Sequence, residues 1–321
     1  MVGIAQKFSS ACELANRMPD RVARFIEIDK TLKRRFREDS MTDVLLASFL
    51  ELPNNQVVVD TPQEAKTGAD FDLFITQRGS SDIAHYRVQA KRLCDNKVWE
   101  KGRYHRLDHK VGILNKLQVD ILCSNVPPDC RPLYAFYNHS NVVQQSGGKV
   151  LGIALADAYG IQRCVHQVVA GDKSYKQVGK LAPLFFPLTT ILCSAVPGRP
   201  LATPQESLRS AEAMIGATRE RWPDILNDEQ TELFEAAVKR TEPDTPQGRE
   251  RQERLLLKEA EAYLFEPPAA DVRADVLAAV DRGVSTVRTR RIRRPRVILI
   301  GPGGSGDGPV KRKGQAQTSE A

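Results

Sequence analysis

Two neighbouring segments that alternate between polar and apolar residues place the strongest constraint on the fold of this chain. The first is ADFDLFI (69–75) and the second is IAHYRVQAKRL (83–93), with the turn-rich stretch RGSSD (78–82) between them. Alternation with a period of two is typical of β-strands that bury one face. The sequence therefore predicts two strands that pair across the turn and give their apolar face to a core.

The strand pair belongs to a longer series of predicted elements. A helix is predicted within EDSMTDVLLASFLEL (38–52), and QVVVD (56–60) has the β-branched composition of a short strand. Residues 97–122 carry apolar residues at helical spacing and are predicted to be mostly helical, and RPLYAFYN (131–138) is predicted to be another strand. The order helix, three strands, helix, strand indicates an α/β layered domain.

The character of the chain changes near residue 200. Thr, Pro and Glu in TPQE (203–206) are helix-start signals, and two further charged helices are predicted after it. The segment VILI (297–300) is predicted to be a final strand. We therefore predict three parts, namely an α/β domain, a mainly helical C-terminal region and a disordered tail, at residues 1–200, 201–300 and 301–321.

Composition and charge limit the class of protein. Lys and Arg total 47 against 40 Asp and Glu, a net charge of +7 that is compatible with an acidic partner such as nucleic acid. No apolar run approaches the ~18 residues of a membrane span, and no secretory signal begins the sequence. The six cysteines are scattered without a CxxC pair, so we expect reduced thiols, no zinc site and a cytoplasmic location.

The polar faces of the two alternating strands carry residues of chemical interest. Asp70 and Asp72 share one face of the first strand, and Gln89 and Lys91 share one face of the second. Pairing of the strands would bring these oxygen donors and the ammonium together. Oxygen donors hold Mg²⁺, which can activate water beside a phosphodiester, and a lysine can orient that water. The set indicates metal-assisted phosphodiester hydrolysis.

Asp70, a hairpin and then Gln89-Ala90-Lys91 resemble the PD-(D/E)xK nuclease superfamily, in the variant with Gln at the second acidic position. The spelling QAKR (89–92) is similar to that of Mrr-like restriction enzymes and of bacterial anti-phage defence nuclease domains. A GAD…QAK pattern is also similar to an uncharacterised bacterial group. The resemblance covers roughly residues 30–140. It implies a restriction endonuclease-like αβββαβ core with a mixed sheet.

The resemblance also implies roles for single residues. Asp70 would bind Mg²⁺ or Mn²⁺, with the Gln89 side chain and the Ala90 carbonyl as further ligands. Glu38, on the preceding helix, would complete the shell, and Lys91 would position the attacking water. The implied activity is a nuclease that acts on DNA in restriction or anti-phage defence.

Basic residues near this set are expected to contact the phosphate backbone, because such contact is electrostatic and independent of sequence. The alternative interpretation of these basic residues is an ordinary run of charges that faces solvent. The candidates lie after the second strand and in the arginine-rich segment before VILI: Arg92, Lys97, Lys101, Arg103, Arg290, Arg291, Arg293 and Arg294.

Each site residue also has an ordinary interpretation that the sequence leaves open. Asp70 could cap a turn, Lys91 could be a surface lysine on an edge strand, and Glu38 could simply lie beside a helix N-terminus. Asp72 is expected on the solvent face or around the site rather than among the ligands. Glu64 is a further loop candidate for the metal.

The departures from the family pattern keep two other functions open. Gly68-Ala69 precedes Asp70 where the superfamily has Pro, and Gln89 is neutral where a carboxylate is commoner. An inactive nuclease fold that binds nucleic acid or acts as a scaffold is therefore one alternative, and a helical regulator acting through residues 203–265 is another. The three histidines His85, His105 and His109 are expected to face solvent or substrate. A homodimer is compatible with the sequence, which does not decide the oligomeric state.

Overall fold

The structure, a computed structural model, describes most of the chain between residues 8 and 221 and parts of its C-terminal third. The described residues are 8–31, 38–53, 57–60, 71–94, 98–111, 116–123, 126, 130–221, 274, 276–278, 280, 286–287 and 296–302. The predicted helices over 227–265 and the predicted tail after Gly301, except Pro302, lie outside them.

Helices and strands are interspersed along the chain. The helices are α1 Ala11–Thr31, α2 Glu38–Leu50, α3 Gln118–Cys123, α4 Ser140–Gln145, α5 Ala158–Val169, α6 Val178–Leu181, α7 Thr189–Leu192 and α8 Pro204–Arg221. The strands are β1 Val57–Asp60, β2 Phe71–Gln77, β3 Ile83–Arg92, β4 Lys110–Val111, β5 Lys116–Leu117, β6 Cys130–Tyr137, β7 Ile153–Asp157, β8 Phe186–Pro187, β9 Thr286–Val287 and β10 Arg296–Gly301.

In the described part of the chain, eight strands form one mixed sheet in the order β8-β7-β6-β3-β2-β10-β1-β9. Strands β2 and β3 pair antiparallel across the predicted turn, and β3 pairs parallel with β6. The α/β class and the mixed sheet are thus confirmed. The predicted order of helix, three strands, helix and strand corresponds to α2, β1, β2, β3, α3 and β6, with the two-residue strands β4 and β5 inserted before α3. The predicted final strand is confirmed as β10, which lies inside the sheet between β1 and β2.

The alternation of β2 and β3 places their apolar residues in one core. Helices α1, α2, α7 and α8 contribute apolar side chains to that same core. A second core lies on the other face, where β6 and β7 pack with α3 and α5. Full burial of one large apolar side chain stabilises the fold by roughly 1.5–3 kcal/mol. The predicted inward residues of the strand pair are all in the first core: Phe71, Leu73, Ile75, Tyr86, Val88 and Ala90.

Helix α1 lies so close to the chain before β7 that no side chain fits between them. A Cβ atom placed on Gly152 would lie 1.8 Å from the carbonyl oxygen of Pro19, which is a backbone atom and cannot rotate away. Glycine is therefore required at this contact.

We expect Gly152→Ala to destabilise the protein by about 1–3 kcal/mol, because the added methyl forces the backbones of α1 and β7 apart. Gly216→Ala in α8 is the matched control, since a Cβ there meets no atom within 4 Å. It should leave stability unchanged or raise it by up to ~1 kcal/mol. Urea unfolding measures both changes. Equal stabilities of the Gly152→Ala and Gly216→Ala variants would contradict the close contact.

The predicted helix over residues 97–122 is wrong. In the described residues, a single turn at Trp99–Lys101, further turns and the short strands β4 and β5 precede α3, which begins only at Gln118. The described part of the segment forms short turns, such as the bond from the Leu107 N–H to the Tyr104 carbonyl, and it also pairs with a distant part of the chain. Tyr104 donates to the Lys176 carbonyl, and Val178 donates to the Gly102 carbonyl. This tertiary pairing holds the backbone outside a helical path, although Leu107 still reaches a core.

The expectation of reduced thiols is wrong for one pair of cysteines. Cys12, at the start of α1, and Cys193, directly after α7, form a disulfide across 181 residues. The other described cysteines, Cys94, Cys123, Cys130 and Cys164, are free thiols. Burial raises the pKa of the Cys164 thiol to about 12, so it stays protonated.

Among the described helices, none has the length and apolar character needed to cross a membrane.

Candidate functional site

Strand β3 carries a buried row of polar side chains on one face. His85, Arg87, Gln89 and Lys91 alternate with the apolar residues that enter the first core, and all four are buried. Burial of polar and charged groups is unfavourable unless they are hydrogen-bonded or paired. The partners of this row therefore indicate what it does.

Lys91 lies at the C-terminal end of β3, and its side chain is 1% exposed. Its Nζ donates to Oε1 of Gln118, the first residue of α3, over 2.8 Å. Oε1 of Glu38, the first residue of α2, is 4.0 Å from the same nitrogen. Three elements thus converge on one buried ammonium, and β3 is a central strand, so Lys91 is not a surface lysine on an edge strand.

The first turn of α2 is fixed beside the end of β6. Oγ1 of Thr42 lies 3.2 Å from the Tyr137 hydroxyl, and it donates to the Glu38 carbonyl over 3.2 Å. Met41, Leu45 and other residues of α2 anchor the helix in the first core. The Glu38 side chain is 21% exposed, so its carboxylate faces Lys91 while it keeps access to solvent.

The direction of the Ala90 carbonyl follows from the pairing of β3 with β6. The Leu93 N–H donates to the Tyr137 carbonyl on β6. Since alternate residues of a strand point their backbone groups to opposite edges, the Ala90 carbonyl points towards β2. The described pairing of β2 with β3 begins at Phe71 and Val88. The carbonyl therefore faces the edge where β2 begins, and Asp70 directly precedes Phe71 in the sequence.

The structure brings Glu38 within 4.0 Å of Lys91, and Gln89 is buried two residues before Lys91 on the same face of β3. Of the predicted nucleic-acid contacts, Arg92 is half-buried at the end of β3, and Lys101 and Arg103 are exposed in the segment that follows. The remaining candidates lie outside the described residues: Asp70, Glu64, Lys97, Arg290, Arg291, Arg293 and Arg294.

Three oxygen donors lie on or beside the end of β3. The Glu38 carboxylate, the Gln89 amide oxygen and the Ala90 carbonyl are the donor types that Mg²⁺ and Mn²⁺ prefer. The described residues contain no group of three or more His, Cys, Asp or Glu side chains that could hold a metal. The donors named above differ from such a group, because two of them are an amide oxygen and a backbone carbonyl.

The same face of β3 holds an ionic cluster that the sequence analysis missed. Nε2 of His85 lies 3.2 Å from Oδ1 of Asp72, and Nε of Arg87 lies 3.8 Å from the same oxygen. The His85 ring stacks on Phe74, with ring centroids 4.3 Å apart. Asp72 therefore does not face solvent, and His85 faces neither solvent nor open substrate space. Pairing of the strands across the turn sets Asp72 opposite Arg87. Counting residues outward from the turn could therefore have identified this pair from the sequence.

Sequence analysis also missed Gln118, which is held in place by the packing of α3 on α5. One carboxylate oxygen of Asp120 on α3 lies 2.9 Å from Nε2 of His166 and accepts from the Gln162 amide on α5 over 2.9 Å. Burial alone would raise the pKa of Asp120, but the hydrogen bonds from His166 and Gln162 outweigh burial and lower it.

We expect Asp120→Asn to lower stability at pH 7 by up to about 1 kcal/mol and to have a smaller effect near pH 3. A lowered carboxyl pKa stabilises the fold above its unfolded value of about 3.9, and this stabilisation is lost as the pH falls through the folded pKa. Urea unfolding of both proteins at the two pH values measures the difference. A gap of the same size at both values would contradict the assignment.

Comparison with known proteins identifies a family but no activity. Residues 11–291 match the family described as "Family of unknown function (DUF6615)". No curated protein and no solved structure gives a significant match. Because the matched region covers most of the chain, the protein belongs to the family of unknown function DUF6615.

Proposed function

We propose that the protein is a metal-dependent nuclease that hydrolyses phosphodiester bonds of DNA. The observation that carries the proposal is the buried Lys91 ammonium, held between Glu38 and Gln118 at the end of a central strand. An apolar residue would fill such a place in a purely structural core, often with equal or greater stability. A buried lysine beside oxygen donors is instead suited to catalysis, which supports the resemblance to PD-(D/E)xK nucleases.

In the proposed site, Mg²⁺ or Mn²⁺ would be held by Asp70, the Gln89 amide oxygen and the Ala90 carbonyl, with Glu38 completing the shell. A bound cation of this kind supplies a polarised phosphate and a more acidic water. Lys91 orients the attacking water and stabilises negative charge that develops on the phosphate. Gln118 accepts a hydrogen bond from Nζ of Lys91 and so fixes the direction of that ammonium group.

The biological setting is also part of the proposal. By resemblance the enzyme acts in restriction or anti-phage defence, and the cytoplasmic location stays a prediction. Disulfides are rare in cytosolic proteins, so the Cys12–Cys193 bond is the observation against which that location must be tested. Cell fractionation with thiol trapping decides it.

Incubation of the protein with plasmid DNA and Mg²⁺ or Mn²⁺ tests the activity. The wild type should nick or linearise the plasmid, EDTA should stop the reaction, and Asp70→Ala should remove it. Asp20→Ala is the matched control, because Asp20 is an exposed acid on α1, and this variant should cut like the wild type. No cleavage with either metal, or cleavage that survives Asp70→Ala, would overturn the proposal.

One observation favours a second candidate, an inactive nuclease fold that binds nucleic acid. Gln89 supplies a neutral oxygen where a carboxylate would attract the cation more strongly. This candidate predicts salt-sensitive DNA binding without cleavage, and binding that Lys91→Ala leaves unchanged. A gel-shift series in increasing salt, run on the plasmid-cleavage samples, distinguishes it from the nuclease.

A further inference from the structure

The segment between β3 and α3 presents an exposed basic surface beside the proposed site. We call the described residues 101–111 and 116 of this segment the basic arm. Its exposed basic side chains in the described residues are Lys101, Arg103, Arg106, Lys110 and Lys116. Two exposed histidines, His105 and His109, lie among them.

The basic arm is joined to a second basic segment by backbone hydrogen bonds. Tyr104 donates its N–H to the Lys176 carbonyl over 3.0 Å, and Val178 donates to the Gly102 carbonyl over 2.8 Å. The second segment, residues 173–180, adds the exposed Lys173 and Lys180. The Lys176 ammonium donates to Asp108 over 2.5 Å, so the carboxylate within the arm is already paired. Within the described ranges, the exposed acids beside the two segments are Glu100 and Asp172. The exposed basic side chains outnumber them, so the joint surface is positively charged.

Both ends of the basic arm are attached close to Lys91. Near its start, the Arg103 carbonyl accepts from the N–H of Cys94, which follows β3. Near its end, the His109 carbonyl accepts from the N–H of Gln118, whose side chain holds the Lys91 ammonium. A polyanion bound along the arm would therefore lie next to the proposed site.

The tyrosine rings of the two segments favour a duplex over a single strand as the polyanion. Among the described residues of this surface, Tyr104 is buried, and Tyr175 is half-buried against the second core. Proteins that bind single strands stack bases on accessible aromatic rings, whereas binding to a duplex backbone needs only Lys and Arg at the phosphates.

We propose that the basic arm and residues 173–180 bind the phosphate backbone of double-stranded DNA, without base recognition, and deliver it to the Lys91 site. This inference rests on the proposed function only for the reaction that follows binding. It names the substrate class of that site as duplex DNA.

Fluorescence anisotropy of a labelled DNA duplex in EDTA, at several salt concentrations, tests the binding in the full chain without cleavage. The triple variant Arg103→Ala/Arg106→Ala/Lys110→Ala should bind more than about tenfold more weakly at 0.1 M salt, with a log–log salt slope reduced by about 2–3. The matched control Arg24→Ala/Lys149→Ala/Arg209→Ala removes three exposed charges elsewhere and should bind like the wild type.

Three results would overturn the inference: equal weakening by both triple variants, unchanged binding by the arm variant, or tighter binding of a single strand of the same length. Circular dichroism of each variant confirms that it is folded. Failure of the proposed function has a different signature, because a protein that binds duplex DNA through the arm but never cuts it retains this inference and loses the nuclease.

Discussion

Lys91→Met is expected to reduce metal-dependent DNA cleavage by about 10²–10³-fold or more, the range in which a charge-stabilising or proton-transferring group acts. Methionine matches the length and flexibility of the lysine stem. It removes only the ammonium that contacts Gln118 and faces Glu38. Removing one partner of a buried ion pair destabilises a fold when it leaves the other charge without water. The Glu38 side chain is 21% exposed and stays solvated, so the variant should fold, which circular dichroism checks.

Three comparisons make the cleavage assay specific for Lys91. Lys149→Met changes an exposed lysine in the turn before β7 and should cut like the wild type. Gln118→Ala should slow cleavage by about tenfold, because it loosens the ammonium without removing it. Duplex binding in EDTA should be the same for wild type and Lys91→Met. Cleavage by Lys91→Met at the wild-type rate would place the reaction elsewhere in the chain.

The strand pair could be predicted from the sequence because its information is local. The period of two decides which residues enter the core, and the turn decides which residues of β2 and β3 face each other. Both rules gave the observed core residues, from Phe71 to Ala90. They also placed Gln89 and Lys91 on one face, which is as much of the candidate site as alternation can predict.

The features that the sequence did not reveal depend on contacts between distant residues. The Cys12–Cys193 disulfide spans 181 residues, a separation that carries no pattern. Residues 97–122 carry helical spacing, yet Tyr104 donates to the Lys176 carbonyl and Gly102 accepts from Val178, and this tertiary pairing overrides the local preference. Gln118 lies at the end of this same segment, and only the folded chain brings it to Lys91.

The position of β10 in the sheet is a further non-local feature, and it leads to the second large prediction. The strand was predicted from its apolar composition, but its insertion between β1 and β2 was not. Val297 pairs with Val59 on β1 and with Leu73 on β2, and its side chain is 0% exposed. The sheet beside the start of β2, where Asp70 precedes Phe71 in the sequence, therefore depends on residues from the far end of the chain.

Val297→Asp is expected to destabilise the protein by about 4 kcal/mol or to prevent folding, because an unpaired carboxylate would be buried in the first core. Val196→Asp is the matched control, since Val196 is 47% exposed, and it should change stability by no more than ~0.5 kcal/mol. Urea unfolding and circular dichroism measure both. If Val297→Asp were as stable as the control, β10 would not lie inside the sheet, and β2 would be held by β3 alone.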